Sequence, residues 1–347
     1  MDKNMKIAAI IVVAIVAIAG VCAAMVLNKD SGTTYKIAVV KHNFEPLYIA
    51  EEKGFFSDAG VDVELVSVAS GNDAMVALTS GKVDLAGFGS DPFLKMIDSY
   101  GDDYKYIGRW MLDEGLKAAA KEDCSFSFNG ENNSLKGARI GVNTAVSYYS
   151  LLLKYLAQTN QEYVVQSDVS TYDGNKVNIY SFANNALAGA LTNDKVDLII
   201  AGATNINVVE SLSGYKYIEA PEEYMSYMSV GMFAKTSDID PCESDYRKIL
   251  GAVDRACKYM TSDDTVEKED AVGICMERLN ITNRTVMTKY IDLAQWGLAI
   301  TDDDRTSIED SFEYIVKSSP GKYTGVLKDK ETMEIDPYLD TRFVTVP

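Results

Sequence analysis

Two stretches decide the fold: residues 73–86, DAMVALTSGKVDLA, and residues 185–199, NALAGALTNDKVDLI. Each reads as a short helix with apolar residues at helical spacing, then a polar turn, the tripeptide Lys-Val-Asp and a short apolar run. A helix that returns into a buried strand is half of the crossover connection that parallel strands require. Because the pattern occurs twice in the chain, it implies two similarly built α/β lobes.

The flanking sequence continues the alternation. Residues 35–40 (YKIAVV), 61–68 (VDVELVSV), 83–88 (VDLAGF), 104–111, 116–120, 138–142 (ARIGV), 176–180, 196–201 (VDLIIA) and 230–234 read as strands. Helices are expected over 47–53, 74–80 and 145–158, over 183–191, and from Asp91, with Asp91 as N-cap and Pro92 at the first helical position. After Ser244 the pattern becomes mainly helical, over 245–261, 264–279, 284–294 and 305–317.

The chain has 347 residues, 47% hydrophobic, with a formal net charge of −18. That composition excludes disorder, and the length suits two lobes. The acidity repels phosphate backbones, so no nucleic-acid partner is expected. His42 is the only histidine, and Cys124, Cys242, Cys257 and Cys275 lack paired-ligand spacing, so no metal site or cofactor is expected. Those four cysteines could form two disulfides or remain buried thiols. Residues 132–134, 280–282 and 283–285 are N-glycosylation sequons, used or coincidental.

Residues 7–27, IAAIIVVAIVAIAGVCAAMVL, carry no charge and follow Lys3 and Lys6. Twenty-one residues at ~1.5 Å each span roughly 31 Å, a hydrocarbon core. The reading is a cytoplasmic stub (1–6), a membrane anchor (7–27), a polar linker (28–34) and an exported remainder. A cleaved signal or lipidation at Cys22 are the alternatives, although Val21 suits lipidation poorly.

Residues 46–62 (PLYIAEEKGFFSDAGVD), 70–73 (SGND), 77–84 (ALTSGKVD), 89–92 (GSDP), 135–142 (LKGARIGV), 190–191 and 195–197 occur in one order. That ordered set resembles the substrate-binding proteins of ABC importers of the nitrate/sulfonate/taurine type, with their thiamine-pyrimidine-binding relatives. The resemblance covers roughly residues 35–316. It implies an α/β bilobal periplasmic-binding-protein fold (Venus-flytrap, type II), here with an N-terminal transmembrane helix. Lobe 1 would comprise 35–118 and 232–347, and lobe 2 would comprise 119–231. The hinge crossings would lie near 117–125 and 220–232, with the late helices packing on lobe 1. It also implies a monomer on the extracytoplasmic face of the cell membrane, delivering a small solute to permease and ATPase subunits.

In open α/β sheets ligands bind beyond the carboxyl ends of strands. His42 and Tyr48 follow the first strand, as possible hydrogen-bonding or stacking groups. Asn72 opens a helix whose N–H groups could take an anion, or it merely caps. Ser90 follows the third strand. Asn143, Thr144 and Ser147 begin a helix whose dipole favours an anion. Thr204 follows the buried strand of the second copy. Arg109 could clamp an anion or form an ion pair, and Tyr227 could form an aromatic wall. This polar-aromatic set suits a small anion or a heteroaromatic metabolite. The alternatives are a ligand-sensing ectodomain for a membrane receptor and a pyrimidine-synthase-like enzyme. One histidine and no triad or metal cluster leave little for catalysis, so no enzyme is expected.

Overall fold

The computed structural model describes residues 33–114, 116–144, 147–202, 209, 212–220 and 227–344. The expected anchor over 7–27 lies outside them. Among the described residues no helix is long and apolar enough to cross a membrane.

The first sheet forms from β1 (Thr34–Val39), β2 (Asp62–Ser67), β3 (Leu85–Phe88), β4 (Tyr104–Glu114), β11 (Tyr227–Lys235) and β12 (Ala294–Ala299), in the order β12-β4-β11-β3-β1-β2. The second forms from β5 (Lys117–Lys121), β6 (Arg139–Val142), β7 (Tyr163–Gln166), β8 (Val177–Ser181), β9 (Leu198–Ile200) and β10 (Tyr215–Glu219), in the order β10-β5-β9-β6-β8-β7. In each, a parallel set meets an antiparallel strand: β11 against β3, and β5 against β9. The chain passes between sheets at β4–β5 and at β10–β11.

The helices used below are α1 (Glu45–Glu52), α2 (Phe55–Asp58), α3 (Gly71–Thr79), α4 (Ser90–Tyr100), α5 (Ser147–Gln158) and α6 (Leu187–Thr192), then α7 (Thr236–Met260), α8 (Thr265–Leu279), α9 (Arg284–Asp292) and α10 (Asp302–Ser318). Alternation along β1 sends Tyr35, Ile37 and Val39 to the face covered by α1, α2 and α7, and Ala38 to the face covered by α3, α4 and α10. The first apolar cluster continues through Trp110, Leu116 and Ala118 to Ile140 and Leu152, so the core does not stop at the crossing.

The repeated Lys-Val-Asp has a physical basis. Asp84 precedes β3, and its carboxylate accepts the backbone N–H of Lys36 in β1 at 2.9 Å. Asp197 precedes β9 and does the same for Arg139 at the start of β6, at 2.8 Å. In both places the acid also donates its own N–H to the carbonyl of that partner residue. The motif fixes the register of two parallel strands, Ile37 with Leu85 and Ile140 with Leu198.

Some boundaries differ from expectation. Strands β7, β10 and β12 were not anticipated. Helix α7 begins at Thr236 rather than 245, with Pro241 inside it. Helix α4 begins at Ser90 with Gly89 as N-cap; extended backbone at Gly89 (φ −96°, ψ −167°) starts the helix before Asp91 can cap it. Cys124, Cys242, Cys257 and Cys275 are all free.

Candidate functional site

The carboxyl ends of the parallel strands of the two sheets lie at the passage between them, and direct hydrogen bonds join the lobes there. Tyr148, in the first turn of α5, donates to Asp113 Oδ2 near the end of β4 at 2.6 Å. Ser150 donates to Asp91 Oδ1 in the first turn of α4 at 3.3 Å. One turn on, Lys154 pairs with Asp310 of α10. Asp113 also pairs with Lys117, across the first crossing, and both are almost wholly buried.

The loop after β1 is built around Asn43, which takes the left-handed conformation (φ 72°). Its carbonyl accepts Trp110 Nε1 at 2.8 Å, and its side-chain oxygen accepts the Tyr290 hydroxyl at 3.0 Å. Its N–H donates to Glu45 Oε1 at 3.2 Å. Glu45, at the start of α1, is fully buried, and burial pushes its carboxyl up to about 7 despite the N–H groups around it. Its other oxygen, Oε2, has no hydrogen-bond partner among the described residues. Nδ1 of His42 and Oγ of Ser90 are likewise buried without partners. Burial, with Lys41 adding repulsion, lowers His42 to about 4, so at neutral pH it is an uncharged donor or acceptor.

Three further groups shape the electrostatics. Burial raises Asp91, with Lys322 and Lys95 partly offsetting it. Tyr148 and Tyr290 are held well above the ordinary phenol value, first by burial and then by nearby carboxylates, so both remain proton donors. Glu45 acts on both, which puts a first-lobe carboxylate within electrostatic reach of a second-lobe phenol.

The ten residues singled out by sequence fall into different positions. His42 and Ser90 lie at the carboxyl ends of adjacent strands, β1 and β3, with buried atoms to spare. Tyr48 is in α1, but its hydroxyl is committed to the Val40 carbonyl at 2.8 Å, where it holds the His42 loop in place. Asn72 accepts from Lys95 at 3.0 Å, and the capping of α3 falls to Ser70, which accepts the Asp73 N–H at 3.2 Å. Asn143 is half-buried, and Thr144 shares a hydrogen bond with Ser181 at 2.8 Å, linking the ends of β6 and β8. Ser147 starts α5 and Tyr227 starts β11 opposite Glu114, at the second crossing. Thr204 lies outside the described residues.

Of the two roles expected for Arg109, anion clamp or ion pair, the structure places it in an ion pair. It is 5% exposed, and its Nε donates to Asp304 at 3.1 Å. Asp304 also accepts from Ser229 Oγ (2.6 Å) and from Thr301 N (2.8 Å) and Oγ1 (2.9 Å). A strand-centre arginine facing a buried helix start is better satisfied there than in a cleft. Its Nη1 is buried with no partner among the described residues.

Sequence reasoning passed over Glu45, Asn43, Asp113, Lys117, Tyr148 and Tyr290. Glu45 and Asn43 stand in the His42 loop, and position alone could have named them. The others meet only through topology. An outer recess of about 540 Å³ beside α1 and α8 is not a rival site. Its charged lining is neutralised by Lys53–Asp270, Arg278–Glu51 and Arg284–Glu269 pairs.

Two α/β lobes joined by two crossings, with polar groups gathered between them, define the bilobal α/β fold of periplasmic binding proteins. The chain belongs to the NMT1/THI5-like family, whose model matches residues 41–265. Among curated proteins it is similar to the aliphatic sulfonates-binding protein of Bacillus subtilis (strain 168), 31% identical over 143 residues, 40% of this chain and 42% of that one. It is also similar to the binding protein YtlA of the same organism, 41% identical over 66 residues, 18% of this chain and 20% of that one. The matches thus span less than half of either relative's length. Among solved structures, the periplasmic aliphatic sulphonate binding protein SsuA from Escherichia coli shares the fold at TM-score 0.69 and 13% identity, covering 90% of this chain and 93% of that one. The periplasmic nitrate-binding protein NrtA from Synechocystis PCC 6803 shares it at TM-score 0.59 and 14% identity, covering 84% and 83%. The family is thus NMT1/THI5-like, and the fold is shared with these solved binding proteins.

Proposed function

We propose that this chain is the extracytoplasmic solute-binding component of an ABC importer, and that it captures a small organic solute between its lobes. The observation that carries the reading is the set of buried, unpartnered polar atoms at the carboxyl ends of β1 and β3, His42 Nδ1, Glu45 Oε2 and Ser90 Oγ, beside a direct interlobe hydrogen bond. A protein that only had to fold gains nothing from such atoms, since each costs about 1–3 kcal/mol.

His42 and Ser90 contact the solute from the first lobe. Asn143, Thr144, Ser147 and Thr204 contact it from the second, and Tyr227 flanks the crossing. Tyr48 and Asn72 act one step back by holding their loops. Arg109, in the middle of β4, and Lys117, at the first crossing, are already in ion pairs. An anionic end of the solute is therefore met by hydroxyls and by N–H groups at the starts of α4 and α5. The names of the relatives, which bind aliphatic sulfonates and nitrate, favour a sulfonate-like solute. Ligand bridging the lobes would favour closure, and the closed form would dock on the permease as a monomer. Residues 7–27 serve as the tether, a reading supported by twenty-one uncharged residues after two lysines.

The test is calorimetric titration of the exported part, stripped of bound solute, with sulfonates, nitrate, bicarbonate, pyrimidines and organic acids. Binding that is weakened tenfold or more by Asn143→Ala with Thr144→Ala supports the reading. Absence of binding by every small solute overturns it. Binding unaffected by the double substitution overturns the assignment on the second lobe.

A further inference from the structure

The contacts that tie the lobes together are unequal on the two sides of the crossings. We infer that α5 and α10 form a fixed bearing, a third and non-covalent joint between the lobes, and that the lobes part on the opposite side, between α9 and β10.

Helix α5 belongs to the second lobe and α10 to the first, and the two pack directly on each other. On α5, Ser150, Leu151 and Lys154 recur at helical spacing and meet Ser307, Asp310 and Ser311 of α10, which recur at the same spacing. Ser150, Leu151, Ser307 and Ser311 are all buried. The gap left between the helices is about 10 Å³, room for one water at most. Lys154 pairs with Asp310 across this seam, with side chains 14% and 31% exposed. Ser150 reaches a second first-lobe helix, donating to Asp91 at the start of α4 at 3.3 Å. Helix α5 is thus held by two helices of the first lobe at once. Sliding it would open voids in a close-packed seam and strip a largely enclosed ion pair.

The other side is built differently. Helices α9 and α10 cover opposite faces of the first sheet, α9 through Met287 and Tyr290, and α10 through Ile308 and Phe312. Where α9 meets the second lobe, Lys289 Nζ stands over the ring of Tyr217 in β10, 5.4 Å from its centroid. Both residues are only half-buried. An ammonium over a ring face is attracted to a quadrupole rather than to one lone pair, so the contact tolerates tilt and separates into water at small cost. One close-packed side and one loose side confine the lobes to a swing about the first. The joint holds whatever the solute. Under the cleft-binding reading above, the cleft then opens on the α9 side, and solute enters there.

Pulsed electron spin resonance on the solute-free full chain tests the bearing. Cys22→Ser and Cys124→Ser are introduced first; Cys242, Cys257 and Cys275 are buried and stay unlabelled. Nitroxides at Gln158→Cys and Lys317→Cys, on exposed positions of α5 and α10, report the bearing. Nitroxides at Ser213→Cys and Thr285→Cys, also exposed, report the other side. Ser213 stands just before β10, about 20 Å along the strand from the second crossing. A rotation of about 15° moves a label at that distance by about 5 Å. The expected result is a single narrow distance for 158–317 and a distribution spread over about 5 Å for 213–285. Lys154→Met should broaden 158–317. If that variant fails to fold, the two distributions of the otherwise unaltered protein still decide. Equal widths, narrow or broad, overturn the bearing, as does a broader 158–317 distribution. An unchanged 158–317 distance in folded Lys154→Met overturns the part given to the ion pair. None of these outcomes touches the cleft reading, because no solute is present.

Discussion

Replacing Asp304 by alanine separates a structural Arg109 from a ligand-binding one. The pair is enclosed, with side chains 7% and 1% exposed, and the carboxylate takes four donors: Arg109, Ser229 and two from Thr301. Asp304→Ala leaves a guanidinium buried without a counter-charge, which costs about 3–5 kcal/mol. At about 2–4 °C per kcal/mol, this lowers the Tm by roughly 6–20 °C. The double substitution Arg109→Met with Asp304→Leu removes both charges and should recover at least half of the loss, because apolar replacement of a buried pair is often neutral. The two tryptophans, Trp110 in β4 and Trp296 in β12, both lie in the first sheet and report its unfolding in urea directly. Solute affinity of the double variant should be within about threefold of wild type, a difference well under the cost of one lost charge-assisted hydrogen bond. The reasoning is refuted if Asp304→Ala costs less than about 1 kcal/mol, or if the stable double variant loses solute binding. The latter outcome would mean that the unpartnered Nη1 of Arg109 reaches the solute.

Tyr148→Phe removes the 2.6 Å hydrogen bond to Asp113, so small-angle scattering should show a larger radius of gyration for the solute-free protein; an unchanged profile counts against this bond as a latch. At Gly202 an added Cβ would stand 2.5 Å from the Tyr148 hydroxyl, so Gly202→Ala should reproduce the Tyr148→Phe opening without touching Tyr148. Glu45 is raised from 4.5 to about 7, so its contribution to stability is complete below about 4.5 and lost as pH rises through 7. That interval corresponds to about 3 kcal/mol, so Glu45→Gln should be more stable than wild type at pH 8 by up to that amount, and the gain should vanish at pH 4. His42 is lowered from 6.5 to about 4, so its contribution is present above 6.5 and lost as pH falls through 4; His42→Asn should flatten the acid limb of the Tm profile.

Much of the fold was legible because the parallel strands are short, apolar and set off by polar turns. The repeated Lys-Val-Asp carried more information than its length suggests, because Asp84 and Asp197 do the same job in both lobes. Strand β10 escaped notice because every residue in Tyr215–Lys216–Tyr217–Ile218 is half-buried and an edge strand gives no clean alternation. Strand β12 was not read at all; the helix expected over 284–294 ran into its first residue, Ala294. The helix expected from 245 begins nine residues earlier, at Thr236, and carries Pro241 inside it, a residue that ordinarily disfavours a helix interior. The loops of the site could be found from strand ends alone. Their partners could not: Asn43 and Tyr290 are 247 residues apart, and no local pattern couples them.

The distribution of unfavourable groups bears on how such a protein works. Ion pairs elsewhere are exposed or closed on themselves, although Arg109 Nη1 and the hydroxyls of Tyr246 and Tyr323 are also buried without partners among the described residues. Near the opposed strand ends they cluster: a carboxyl raised by burial, an imidazole lowered by burial, a raised Asp91 and an unpartnered Ser90 hydroxyl. Groups desolvated without full compensation lower the stability of the closed arrangement relative to one in which the lobes part and water reaches them. A solute that supplies the missing partners removes that penalty only in the closed arrangement, and differential stabilisation of this kind is what a ligand needs to shift a two-state equilibrium. With two to three such atoms at about 1–3 kcal/mol each, the available bias is several kcal/mol, enough to convert a mostly open population into a mostly closed one. If the solute meets Glu45, His42 and Ser90 as proposed, their imperfections are the means by which it drives closure, and filling them by mutation should yield a protein that closes without solute.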